Sequence, residues 1–122
     1  MDRNNIKVLI CDDSILARKS LRGMLTTMGF ANVLEVANGQ DAVDLCIKEK
    51  PELVLLDIVM PVKDGVTATR EIKEALPDAN IVIISSVGTQ THLTEAIKAG
   101  ARDFVQKPID LDLLSQVLDN IV

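Results

Sequence analysis

Two runs constrain this chain more than any other feature. Leu53-Val54-Leu55-Leu56 and Ile81-Val82-Ile83-Ile84 are each four apolar residues with no polar interruption. A strand wet on one face alternates polar with apolar, so unbroken runs of this length read as strands covered on both faces, as in a parallel sheet. The first run ends at Asp57 and the second at Ser85-Ser86. A charge closing a buried strand is costly unless something uses it. In open parallel sheets the carboxyl edge is where ligands and chemistry sit. Asp57 is therefore the candidate reactive carboxylate, followed by Met60 and the chain-stiffening Pro61.

The rest of the chain alternates around these runs. Ile6 to Cys11 reads as a strand, with Asp12-Asp13 at its carboxyl end. Ser14 can cap a helix whose apolar positions Leu21, Met24, Leu25 and Met28 recur at helical spacing, and Gly29 closes it. Val33 to Ala37 is a shorter strand. Asn38-Gly39 turns into a helix carrying Val43, Cys46 and Ile47, which ends before Pro51. After Asp57, the loop Met60 to Gly65 leads to a helix marked by Ala68, Ile72 and Leu76, stopped by Pro77-Asp78. Beyond Ser85, a helix places Leu93, Ala96 and Ile97 on one face and closes at Gly100. A short strand from Asp103 to Gln106 precedes Lys107-Pro108, and Leu111, Leu114, Leu118 and Ile121 mark the last helix. Five strand–helix alternations with short connections predict one doubly wound α/β domain spanning residues 1–122.

Composition narrows the function. With 122 residues the chain can bury a sizeable core. That core must be aliphatic, because Phe30 and Phe104 are the only aromatics. A net charge of −5 argues against unaided nucleic-acid binding. No apolar run reaches the length of a membrane span and Met1 to Asn5 is no signal peptide, so a cytoplasmic protein is expected. Cys11 and Cys46 lack metal-ligand or redox spacing and read as reduced core thiols, with a disulfide as the other reading.

Asp12-Asp13, Asp57, Ser85 and Lys107 each stand where a strand ends. With the strands ordered 2-1-3-4-5, their polar ends form one row along one edge. Each alone has an ordinary explanation: Asp13 or Ser14 as a helix cap, Ser85 as a turn residue, Lys107 as a solvated cation. The coincidence of all four on one edge points to a site. Two carboxylates about 4 Å apart repel by roughly 4 kcal/mol at an effective dielectric near 20. Lys107 supplies one positive charge against three carboxylates, which leaves room for a hard divalent cation, and Mg²⁺ suits few carboxylates plus water and phosphate oxygens. An ionised Asp57 beside Mg²⁺ can attack a phosphoryl group, with Lys107 and the Ser85 hydroxyl meeting its oxygens.

Asp12-Asp13, Asp57 with Met60-Pro61 and Asp64-Gly65, Ser85-Ser86 and Lys107-Pro108 together resemble the receiver domain of two-component response regulators, over essentially the whole chain. The resemblance implies a five-stranded flavodoxin-like sandwich and phosphorylation of Asp57 by a sensor histidine kinase. It implies that Asp13, Asp57 and the Val59 carbonyl bind Mg²⁺ directly, and that Asp12 binds it through water. Ser85 takes the switch-hydroxyl place, Lys107 pairs with the acceptor, Lys107-Pro108 is expected to be cis, and Phe104 stands at the switch aromatic. The other reading of Phe104 is a space-filling core residue, but its place in a short strand beside Lys107 favours the switch role. If it is the switch aromatic, it turns inward when Ser85 moves toward the phosphoryl group, and Gly88 lets the loop after the fourth strand rearrange.

Residues two beyond the acceptor and two beyond the switch hydroxyl flank the hydrolytic water in that family. Here they are Val59 and Val87, both apolar, which implies slow self-dephosphorylation. His92, the only histidine, is expected on the surface far from the acidic edge rather than as a phosphoryl donor. The stretch from Gly88 to Phe104 is similar to single-domain chemotaxis CheY proteins. That similarity implies a monomer that is not an enzyme and that binds a downstream protein target such as the flagellar motor switch. A receiver belonging to a longer transcriptional regulator or methylesterase, or a phosphorelay intermediate, fits the same residues. Flavodoxin and nucleotide-binding readings fail for want of a phosphate-cradling first loop. A haloacid-dehalogenase-like phosphohydrolase wants an aspartate where Val59 stands.

Overall fold

The computed structural model describes residues 2–86 and 90–122. Five parallel strands, β1 (Lys7–Cys11), β2 (Asn32–Val36), β3 (Leu53–Asp57), β4 (Asn80–Ser85) and β5 (Asp103–Gln106), form one sheet in the order β2-β1-β3-β4-β5. Five helices alternate with them: α1 (Ile15–Thr27), α2 (Gly39–Glu49), α3 (Gly65–Ala75), α4 (Gln90–Ala99) and α5 (Leu111–Asp119). The order expected from the sequence is the order observed. A short 3₁₀ turn, Arg3–Asn5, precedes β1 and carries no periodic signal in the sequence.

The apolar runs behave as their composition requires. Every residue of β3 is buried, and in β4 only the first, Asn80, is not. Alternate residues go to opposite faces. Val8, Ile10, Leu53, Leu55, Val82 and Ile84 pack with Leu21, Leu25 and Phe30 under α1, and with Leu114 and Leu118 of α5. Leu9, Cys11, Val54, Leu56, Ile81 and Ile83 pack under α2, α3 and α4 with Val43, Cys46, Ile72 and Ala96. The edge strands β2 and β5 are only partly covered. Both cysteines are free and buried, as the sequence suggests, and burial pushes the Cys46 thiol up to about 12.

The helical pattern overstates burial at two places. Ile47 is 52% exposed and Ile97 43% exposed, although both follow a buried residue of the inward stripe. Each lies one step round the helix from that residue, Cys46 and Ala96, so it turns out of the groove.

The helices begin where local chemistry lets them. The side chains of Ser14, Asn38, Asp64 and Asp110 accept hydrogen bonds from the first-turn amides of α1, α2, α3 and α5. Among the described residues, Thr69 Oγ1 on the inner face of α3 is the one buried side-chain polar atom without a hydrogen-bond partner. Replacing it with a methyl of similar shape removes a desolvation cost. Thr69→Val is expected to raise unfolding stability by about 1 kcal/mol in urea titrations followed by far-UV circular dichroism.

Candidate acidic site at the carboxyl edge of the sheet

The central strands β1 and β3 bring their carboxyl ends side by side, with Cys11 opposite Leu56. Asp12 and Asp57 each follow an apolar strand residue at this edge, and Asp13 comes next in the β1–α1 loop. Asp12 and Asp57 are buried and Asp13 is exposed, yet carboxylate oxygens of all three lie within 4.8 Å of one another. Lys107, from the turn after β5, reaches into this group. Its Nζ lies 2.9 Å from Asp12 Oδ2 and 3.1 Å from Asp57 Oδ2. The Lys107 main-chain amide donates to the Ser85 carbonyl at 2.7 Å, which ties the end of β5 to the end of β4. Lys107-Pro108 is cis.

Ser85 is buried one residue beyond Ile84, which pairs with Asp57 in the β3–β4 ladder. The Val59 amide donates to Asp57 Oδ1 at 3.2 Å, while the Val59 side chain is 58% exposed at the rim. Asp12, Asp13, Asp57, Ser85, Lys107 and Val59 thus converge on one edge. Phe104 faces outward from β5 and is 44% exposed, so it does not fill the core. Val87 and Gly88 lie outside the described residues.

Burial dominates the ionisation of Asp57 and holds its carboxyl above the usual range. The Val59 amide and Lys107 work against that shift, and the Asp12 charge adds to it. Burial disfavours the Lys107 ammonium, but the hydrogen bonds and charges of Asp12 and Asp57 outweigh it and its pKa rises. The cluster is thus short of positive charge. Three oxygen donors with a single lysine fit a hard divalent cation, and Asp12, Asp13 and Asp57 are the side chains that could hold it.

The loop after β3 is packed tightly enough to present this edge. A Cβ on Gly65 would lie 2.5 Å from the Asp57 carbonyl oxygen, and one on Gly39 would lie 1.9 Å from the Lys63 carbonyl oxygen. Only glycine at these places lets α3 start directly beneath Asp57 and lets α2 abut the loop. Val62, in the same loop, has φ +69°, a strained conformation for a β-branched residue. The sequence marks Gly39 only as a turn residue, and nothing in it marks Val62.

His92 is exposed, as expected, with Nδ1 3.8 Å from Glu95. Its position is nearer the site than its helix pattern implies. It lines a cavity of about 440 Å³ together with Val59, Met60, Asp64, Arg70 and Glu95. α4 leans on α3 at the loop that follows Asp57, a contact that no periodicity within α4 reveals.

Residues 8–119 match the response regulator receiver domain. The chain belongs to that family. It is 38% identical over 113 residues to the chemotaxis protein CheY of Bacillus subtilis, covering 93% of this chain and 94% of that one. It is 40% identical over 119 residues to a protein-glutamate methylesterase/protein-glutamine glutaminase of Archaeoglobus fulgidus, covering 93% of this chain and 34% of the longer protein. Among solved structures, the receiver domain of a Pseudomonas aeruginosa sensor histidine kinase superimposes with a TM-score of 0.86 at 26% identity, covering 95% of this chain and 96% of that one. That structure holds a magnesium ion coordinated in its active-site cleft. No helix among the described residues of this receiver is long and apolar enough to cross a membrane.

The direction of the Asp57 shift sets a pH dependence. A carboxyl whose native pKa exceeds its unfolded value binds its proton better in the native state. Its ionised form therefore costs stability once pH has risen through the native value, and the cost vanishes below the unfolded one. In EDTA at pH 7, Asp57→Asn is expected to be more stable than the parent, and the gap should close as pH falls below the ordinary aspartate range. Urea midpoints across that range measure it, and a gap that widens toward acid would contradict the assigned direction.

Proposed function

We propose that this receiver is a phosphorylation switch in which Asp57 takes a phosphoryl group from a histidine kinase, in a step that needs Mg²⁺. The observation that carries the reading is the placement of Lys107 Nζ against both Asp12 and Asp57, inside a three-carboxylate cluster short of positive charge. A bound Mg²⁺ supplies neutralising charge to the carboxylates and to the incoming phosphoryl oxygens. An Asp57 oxygen forms the new O–P bond as the P–N bond to the kinase histidine breaks, and the imidazole leaves with the electron pair. Lys107 then follows the charge from the carboxylate to the phosphoryl oxygens, and the Ser85 hydroxyl donates to one of them. Asp12, Asp13, Asp57 and the Val59 carbonyl are the groups that would hold the metal.

The structural change follows from those attachments. Lys107 is tied to Ser85 through its main chain, so movement of either is felt by both β4 and β5. Phe104 stands outward in this state and turns inward as Ser85 is drawn to the phosphoryl group, which reshapes the α4–β5–α5 face. A protein target reads that face. The similarity to the B. subtilis chemotaxis protein over nearly the full length of both chains supports chemotaxis as the setting, with a motor-switch component as the target and a cytoplasmic monomer as the working form. The similarity to part of the archaeal methylesterase supports a second reading, in which the same switch serves a longer regulator. In neither reading does the receiver itself turn over an external substrate.

Incubation with acetyl phosphate and Mg²⁺ is expected to add one phosphoryl group by intact mass. Asp57→Asn and EDTA should each abolish it. Steady release of phosphate from added phosphoesters would instead favour a phosphohydrolase. Because Val59 is apolar and sits at the rim, the label should be long-lived, and Val59→Asn, able to orient water, should shorten its lifetime. A decay no faster in Val59→Asn than in the parent would refute that part.

A further inference from the structure

Three like charges do not stay within 4.8 Å of one another unless something holds the loop that carries them. Lys107 holds Asp12 and Asp57 through their carboxylates. Asp13 contributes an exposed carboxylate from the same β1–α1 loop, so the direction of the Asp12–Asp13 peptide decides where its oxygens lie. The Asp12 main-chain amide donates to the Val36 carbonyl at 3.2 Å, and the Ser14 amide donates to Asp12 Oδ1 at 2.9 Å. The remaining handle is the Asp12 carbonyl oxygen. It accepts from Arg18 Nη1 at 2.6 Å.

Arg18 sits one turn into α1 with its side chain only 15% exposed. Its Nε donates to Glu35 Oε1 on β2 at 3.1 Å. The other Glu35 oxygen accepts from Arg22 Nε at 2.6 Å, and Arg22 Nη2 donates to the Val33 carbonyl at 2.9 Å. Two arginines on one helix therefore share one carboxylate, but of these two only Arg18 reaches the acidic loop. A guanidinium can serve a carbonyl and a carboxylate at once because its donors are fixed in a planar fork. Glu35 also balances its charge, so Arg18 can act on the backbone and leave the Asp12 and Asp13 carboxylate oxygens for a cation.

We infer that Arg18 is a positioning residue of the cation site, which fixes the Asp12–Asp13 peptide so that both carboxylates face the Asp57 side. The inference rests on the Mg²⁺ reading of the acidic cluster. Its sign separates it from a plain charge effect. Deleting a positive charge near a cation site should tighten binding by Coulomb's law, whereas loss of the hold on the loop should weaken it.

Mg²⁺ affinity of the metal-free full chain is measured by titration calorimetry for the parent, Arg18→Met and Arg22→Met, with urea stability recorded for each. Arg18→Met is expected to bind about tenfold more weakly, with Arg22→Met within about twofold of the parent. The Ser14 amide should also lose hydrogen-exchange protection in Arg18→Met before any metal is added. Affinity that is unchanged or tighter in Arg18→Met, or weakened alike in both variants, overturns the inference. A parent that binds no Mg²⁺ overturns the metal reading itself and this inference with it. If Arg18→Met fails to fold, Arg18→Lys decides. A lysine keeps the charge but lacks the planar fork, so weaker binding than the parent supports the role and equal binding refutes it.

Discussion

The molecule is organised around one electrostatic problem. Three carboxylates are gathered at the carboxyl edge of a buried sheet, with a single lysine among them. Two of the three are buried, where ionisation is costly, and Asp57 registers that cost as a raised pKa. The fold supports such a cluster because its sheet is covered on both faces by aliphatic packing that asks nothing of the edge. Stability comes from the two apolar clusters, and the edge is left charge-deficient. A site that is short of positive charge is prepared to bind it.

The elements around the edge share the work of holding it. β1 and β3 deliver Asp12 and Asp57 side by side, and the turn after β5 brings Lys107 across to both. Gly65 and Gly39 permit contacts that any side chain would block, so α2, α3 and the loop after β3 close on one another. Val62 carries backbone strain in that same loop, as is common where a loop serves a site rather than only a connection. Arg18 secures the loop after β1 from its other side. Lys107 pairs with the carboxylates themselves, whereas the glycine contacts and Arg18 act on the backbone.

The relatives sharpen what such an edge is for. The chain matches one chemotaxis protein over nearly its full length and only part of a longer methylesterase, so receivers similar to this one occur both alone and within longer proteins. Away from that edge, Phe104 is an exposed aromatic in a small aliphatic protein and stands apart from the core.

The residues of the edge were legible in the sequence because each sits at or just past the end of a strand pattern. A buried strand leaves only its end for polar chemistry, so Asp12, Asp13, Asp57, Ser85 and Lys107 announced themselves by position. The strand order followed from alternation with short connections, which admit few arrangements. Helix faces were less legible: Ile47 and Ile97 fit the periodic stripe yet lie outside the grooves, because burial depends on the neighbour as well as on the period. Tertiary structure alone decided the rest. The hold of Arg18 on Asp12, the contact of Gly39 with the Lys63 carbonyl and the cavity shared by His92 and Val59 join residues with no common local pattern. Hydrophobic period and turn chemistry are local and can be read from a string. The distances between loops exist only once the sheet has brought them together.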